Sequence, residues 1–60
     1  MNHEWKFEMG ERAKIAASDE VGEVVARSEH ANAEHQYLLR YRANDGGAVE
    51  AWWTESALSK

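Results

Sequence analysis

Residues 36–54 read QYLLRYRANDGGAVEAWWT, and this stretch decides the fold. Tyr37, Leu39 and Tyr41 alternate with Leu38, Arg40 and Arg42, the period of a strand with one apolar face. NDGG is a strong hairpin signal, and AVEAWWT is the returning strand. A two-residue turn, Asp45-Gly46, would pair Arg42 with Val49 and Leu38 with Trp53, mixing a charged face with an apolar one. A three-residue loop, Asn44-Asp45-Gly46, with Gly46 left-handed in a bulge, pairs like with like. It sets Tyr41 opposite Val49, Leu39 opposite Ala51 and Tyr37 opposite Trp53. On the other face it sets Arg40 opposite Glu50 and Leu38 opposite Trp52. A slip of one residue would reverse every side chain, so the register is strongly specified. Trp53 is therefore expected in the core, and Trp52 outside beside Leu38.

Outward from this hairpin, RAKIAA (12–17) places Ala13, Ile15 and Ala17 on one face and reads as a strand. SDE (18–20) is a turn. VGEVVARS (21–28) is a second strand, in which Gly22 suggests a bulge or a close backbone approach. EHANAEH (29–35) lacks strand character and reads as a loop or helical turn. A helix over 29–42 competes with the third strand, but its apolar positions 37, 38, 39 and 41 suit a period of 3.6 less well. ESAL (55–58) reads as a short terminal turn that tucks Leu58 inward. The expected core is Trp53, Tyr37, Leu39, Val49, Ile15, Val24 and Leu58. The fold class is all-β: about five short strands with a terminal short turn. The domain spans residues 1–60, with 1–6 as a lead segment.

The chain has 60 residues, no Cys, and seven basic against eleven acidic residues, net −4. A single small domain of this size buries only about 60% of its unfolded surface, so its stability is marginal. Disulfides and thiolate metal sites are excluded. Three Trp, two Tyr and one Phe supply the core instead, and self-association is a further route to stability. Binding to nucleic acid is disfavoured by the net charge. No apolar run approaches the ~20 residues of a membrane span. The opening MNHEWKFEMG lacks the blocks of a signal peptide, and a cytoplasmic chain is expected.

The segments FEMGERAKI, VGEVVAR, QYLLRYR, a glycine turn and AWWTESAL resemble the small SH3-like barrels of bacteria and their phages. The likeness runs from Phe7 to Leu58 and implies a fold, not a catalytic motif. MGERAKI and AWWTESAL are also similar to stretches of the type B dihydrofolate reductases. That resemblance implies a folate and cofactor site made by a Val-Gln-Ile-Tyr stretch in a tetrameric pore. Here the stretch reads Glu50-Ala51-Trp52-Trp53, with Ala51 for the glutamine, and Ile15 stands where a first-strand lysine is needed. The resemblance implies the barrel and self-association, without the reductase.

No enzyme is expected. His30 and Glu34 would share a face only on a helix, His35 would point elsewhere, and His3 is distant. Zinc needs three or four convergent ligands, so no metal and no cofactor are assigned. Ser18, Ser28, Ser56 and Ser59 have no base or orienting group beside them. The assigned binding residues are Leu38, Arg40, Glu50 and Trp52, presented to a protein partner or to a second copy. Two readings of Trp52 stand open: an intermolecular contact, or cover by Trp5 or Phe7 of HEWKF (3–7). The alternative function is nucleic-acid binding or mimicry. Binding would need Arg12, Lys14, Arg27, Arg40 and Arg42 gathered on outward faces. Mimicry would need a continuous face of Glu11, Glu20, Glu23 and Glu29.

Overall fold

The computed structural model describes residues 5–43 and 45–60. Among these residues, five antiparallel strands form one sheet: β1 (Arg12–Ile15), β2 (Val21–His30), β3 (Ala33–Arg42), β4 (Ala48–Thr54) and β5 (Leu58–Ser59). A 3-10 turn, Glu55–Ala57, joins β4 to β5. The sheet order is β4-β3-β2-β1-β5. It curls into a half-barrel, the architecture of a small SH3-like barrel. Among the described residues, no helix is long and apolar enough to cross a membrane.

The β3–β4 register is the one the matching of faces requires. Tyr41, Leu39 and Tyr37 lie opposite Val49, Ala51 and Trp53, while Arg40 and Leu38 lie opposite Glu50 and Trp52. Ala43 N–H donates to Gly47 O at 2.8 Å, and Gly46 N–H donates to Ala43 O at 2.8 Å. Gly46 has φ +89°, the left-handed conformation that glycine adopts without strain. Asn44, the first residue of the expected three-residue loop, lies outside the described residues.

Residues 29–35 are not a loop. β2 and β3 pair as far as His30 opposite Ala33, and Ala31 and Asn32 form the turn. The hairpin's tip projects beyond the core, so most of its side chains face water and carry no apolar alternation to reveal the strands. β1 stops at Ile15 rather than running on to Ala17. Asp19 N–H donates to Ile15 O at 2.7 Å, and Asp19 takes φ 64°, which closes the turn early.

β2 carries a register shift. Val24 lies opposite Leu39 but Ala26 lies opposite Leu38, so Val25 is an extra residue. The shift reverses the facing of the residues beyond it, and Arg27 lies opposite the inward Tyr37. Simple alternation places Arg27 on an outward face, because it cannot register the extra residue. Gly22 is a close approach. A Cβ there would stand 3.1 Å from Leu39 Cβ and 3.2 Å from Arg40 O.

The buried core is Phe7, Ala13, Ile15, Val24, Tyr37, Leu39 and Leu58. Five of the seven expected residues are in it. Trp53 faces inward and packs against this cluster, but it is only half-buried. Val49 is also half-buried. Both lie on β4, the edge strand, where the half-barrel leaves the inner face partly open. Phe7 and the small Ala13 take their place.

Candidate functional site

Two clusters carry polar or aromatic chemistry. The first lies at the open end of the half-barrel. Phe7 is fully buried and meets Tyr37 edge to face. Trp5 stacks on His35, with ring centroids 3.9 Å apart, and the Arg27 guanidinium lies 4.5 Å from the Trp5 ring. Arg27 also donates to Phe7 O at 3.1 Å. Lys6 N–H donates to the Tyr37 hydroxyl at 3.0 Å, and Lys6 Nζ donates to Leu58 O at 2.9 Å. Residues 5–7 thus form a strap across the inner face; residues 1–4 of the expected lead segment lie outside the described residues.

Beneath the strap, the Tyr37 hydroxyl donates to Glu55 Oε2 at 2.5 Å. His35 Nδ1 stands 3.6 Å from the same oxygen. The hydrogen bond from Tyr37 holds the Glu55 carboxyl below the usual carboxylate range, against the opposing effect of burial. Burial, together with the bond to Glu55, raises the Tyr37 phenol. A Tyr-Glu-His set could be mistaken for acid–base machinery. Here the hydroxyl both accepts and donates within the fold, and Tyr37 is wholly buried. The set ties the strap and the 3-10 turn to β3.

The other titratable residues of this end do not converge. His30 Nε2 lies 2.6 Å from Ser28 Oγ. Glu34 accepts from the backbone N–H and hydroxyl of Ser56, at 2.6 and 3.0 Å. Among the described residues, no group of three or more His, Asp or Glu could hold a metal ion. His3 lies outside them.

The second cluster is the outer face of the sheet, organised in rows by the register. One row runs Arg12, Glu23, Arg40, Glu50 from β1 to β4. Its signs alternate, and Arg40 Nε donates to Glu50 Oε2 at 2.8 Å. The next row is Ala26, Leu38, Trp52 and the third is Ser28, Gln36, Thr54. An apolar row therefore lies between a charged row and a polar one. Leu38 is half-buried and Trp52 is 48% exposed. The four assigned binding residues, Leu38, Arg40, Glu50 and Trp52, do form one contiguous patch.

The strap does not cover Trp52. Phe7 is in the core and Trp5 lies against His35, both on the inner side of the sheet, so cover of Trp52 by Trp5 or Phe7 is overturned. The basic stripe does not form either. Arg27 turns inward, and Arg12 and Arg40 flank Glu23. The acidic face is interrupted likewise, with Glu23 between two arginines and Glu11 3.6 Å from Lys60.

In comparisons with family models, with curated proteins and with solved structures, none matches this chain.

Proposed function

We propose that this domain is a non-enzymatic interaction module that binds protein, itself or another, through Leu38 and Trp52, with Arg40 and Glu50 as the polar rim. The observation that carries the reading is the exposure of Trp52, at 48%, on the outer face of the sheet. Trp5, Phe7, Tyr37 and Trp53 all pack against the core or the strap. Among the described residues, Trp52 alone of the large aromatics projects outward, next to a leucine. A central aromatic with an apolar neighbour and a charged rim is the anatomy of a contact hot spot.

Kinship with the SH3-like barrels of bacteria and phages is supported by the strand order and by the glycine hairpin. A reductase activity is not part of the proposal. Ile15, at the position where the type B enzymes need a lysine, is fully buried and serves the core. Nucleic-acid binding and mimicry rank below protein binding, because the register interleaves the charges that either would need to segregate.

The test is Trp52→Glu. The variant should keep the parent's urea midpoint and lose self-association in sedimentation, or lose capture of the parent's partner. A variant that associates as the parent does would overturn the reading.

A further inference from the structure

We propose that the patch engages a second copy of this chain through the β4 edge, so that two half-barrels join into one continuous antiparallel sheet. The proposal rests on the reading of Leu38 and Trp52 as a contact, and it names the partner and the geometry.

β4 is the outermost strand of the sheet on its side. The bond from Ala43 N–H to Gly47 O makes these two residues a hydrogen-bonded pair. Pairs alternate along an antiparallel ladder. Val49, Ala51 and Trp53 therefore bond to β3, and the N–H and C=O groups of Ala48, Glu50, Trp52 and Thr54 point away from it. These are the residues of the outer face, so the free backbone groups flank Trp52 itself. Natural edges are blunted by proline, lysine, bulges or shortness. β4 has seven residues, no Pro and no Lys, and an unbroken register against β3. The opposite edge is guarded: β5 has two residues.

Self-pairing about a two-fold axis can be centred on Glu50, Ala51 or Trp52. Centring on Glu50 sets this carboxylate opposite its own copy, which is repulsive. Centring on Trp52 shortens the overlap. Centring on Ala51 pairs the whole strand, Ala48 opposite the partner copy's Thr54. Glu50 then lies opposite the second Trp52, with Arg40 still beside it. On the inner face the half-buried Val49 meets the half-buried Trp53 of the other copy, and the small Ala51 sits on the axis. On the outer face the two Trp52 rings become diagonal neighbours, within reach of large side chains. The two apolar patches merge into one.

The test is residue-resolved amide exchange with sedimentation, on the full chain from low micromolar to millimolar concentration. The expected result is a dimer at high concentration, with the amides of Glu50, Trp52 and Thr54 protected only there. Those of Val49, Ala51 and Trp53 should be protected throughout. Glu50→Pro removes one outward N–H per copy and no bond to β3. It should raise the dissociation constant about tenfold or more relative to Glu50→Ala, which lacks the same carboxylate but keeps the N–H. Exchange of the core amides of Leu39 and Val24 verifies that both variants are folded. A dimer lost in Trp52→Glu but formed without edge protection would overturn this geometry and leave the patch reading standing. A chain that stays monomeric at millimolar concentration would overturn the second copy as partner, and the patch would then face a different protein.

Discussion

Phe7 meets Tyr37 edge to face, with ring centroids 5.2 Å apart and planes at 86°, and neither ring is exposed. The residue that fills the centre of the half-barrel thus comes from a segment outside the sheet. An open sheet of five strands cannot cover its own inner face, and the strap supplies the missing layer. Phe7→Ala should cost about 3–5 kcal/mol, the range of large aromatic truncations in cores. That approaches the whole stability of a small domain. Urea denaturation at neutral pH measures it. A variant that unfolds at the parent's midpoint would show the strap to be dispensable.

Stability should fall at both ends of the pH scale, through the two partners of the Tyr37–Glu55 pair. Glu55 has its folded pKa depressed, chiefly by the hydrogen bond from Tyr37. Its contribution is present above the unfolded carboxylate value and lost as pH falls through the folded one. Tyr37 has its folded pKa raised, chiefly by burial. Its contribution is present below the unfolded phenol value of 10.0 and lost as pH rises through the folded one. Tyr37→Phe should flatten both limbs, and Glu55→Gln mainly the acid one. Denaturation midpoints across the pH range provide the check. A Glu55→Gln protein with the parent's acid limb would assign the loss to other carboxylates.

Gly46 and Gly22 should respond differently to a side chain. At Gly46, φ is +89° and a Cβ would meet nothing within 4 Å, so only the backbone objects. Gly46→Val should cost about 1–2 kcal/mol, and Gly46→Asn clearly less, since asparagine tolerates the left-handed region. At Gly22 the obstacle is space: three neighbours lie at 3.1–3.3 Å from the added carbon. Gly22→Ala should cost about 1–3 kcal/mol as overpacking. Equal tolerance of Gly46→Val and Gly46→Asn in thermal melts would remove the conformational argument.

The hairpin register is legible in the sequence because strict alternation on both strands leaves one loop length that matches the faces. The same reasoning places Trp52 beside Leu38 and Arg40 beside Glu50. Three things are not legible. The extra residue at Val25 hides in a run of β-branched and small side chains, where shifting the register costs no visible pattern, and it sends Arg27 inward. Residues 29–30 and 33–35 are strand by backbone pairing alone, with few apolar side chains to mark a face. The strap has no period, being held by Phe7 and by single hydrogen bonds, so spacing cannot assign Trp5 and Phe7 to the inner side. Its one signal is the aromatic pair at Trp5 and Phe7 ahead of the first strand.

The adjacent tryptophans should separate cleanly under truncation. Trp53 faces the core from an edge strand, half-buried, with its indole N–H buried and without an acceptor among the described residues. An unsatisfied donor already lowers what the side chain contributes, and partial exposure lowers it further. Trp53→Ala should therefore cost about 2–3 kcal/mol, less than a central aromatic. Trp53→Phe, which discards the unpaired donor, should cost less than half as much. Trp52 packs beside Leu38 and nothing in the core rests on it. Trp52→Ala should stay within about 0.5 kcal/mol of the parent, as exposed substitutions do, when measured at concentrations where the chain is monomeric. At higher concentration the order should change: Trp52→Ala should lose any concentration dependence of its melting temperature, and Trp53→Phe should keep it. If Trp52→Ala instead destabilises the dilute monomer as much as Trp53→Ala does, the outer tryptophan is a packing residue and the surface assigned to partners lies elsewhere.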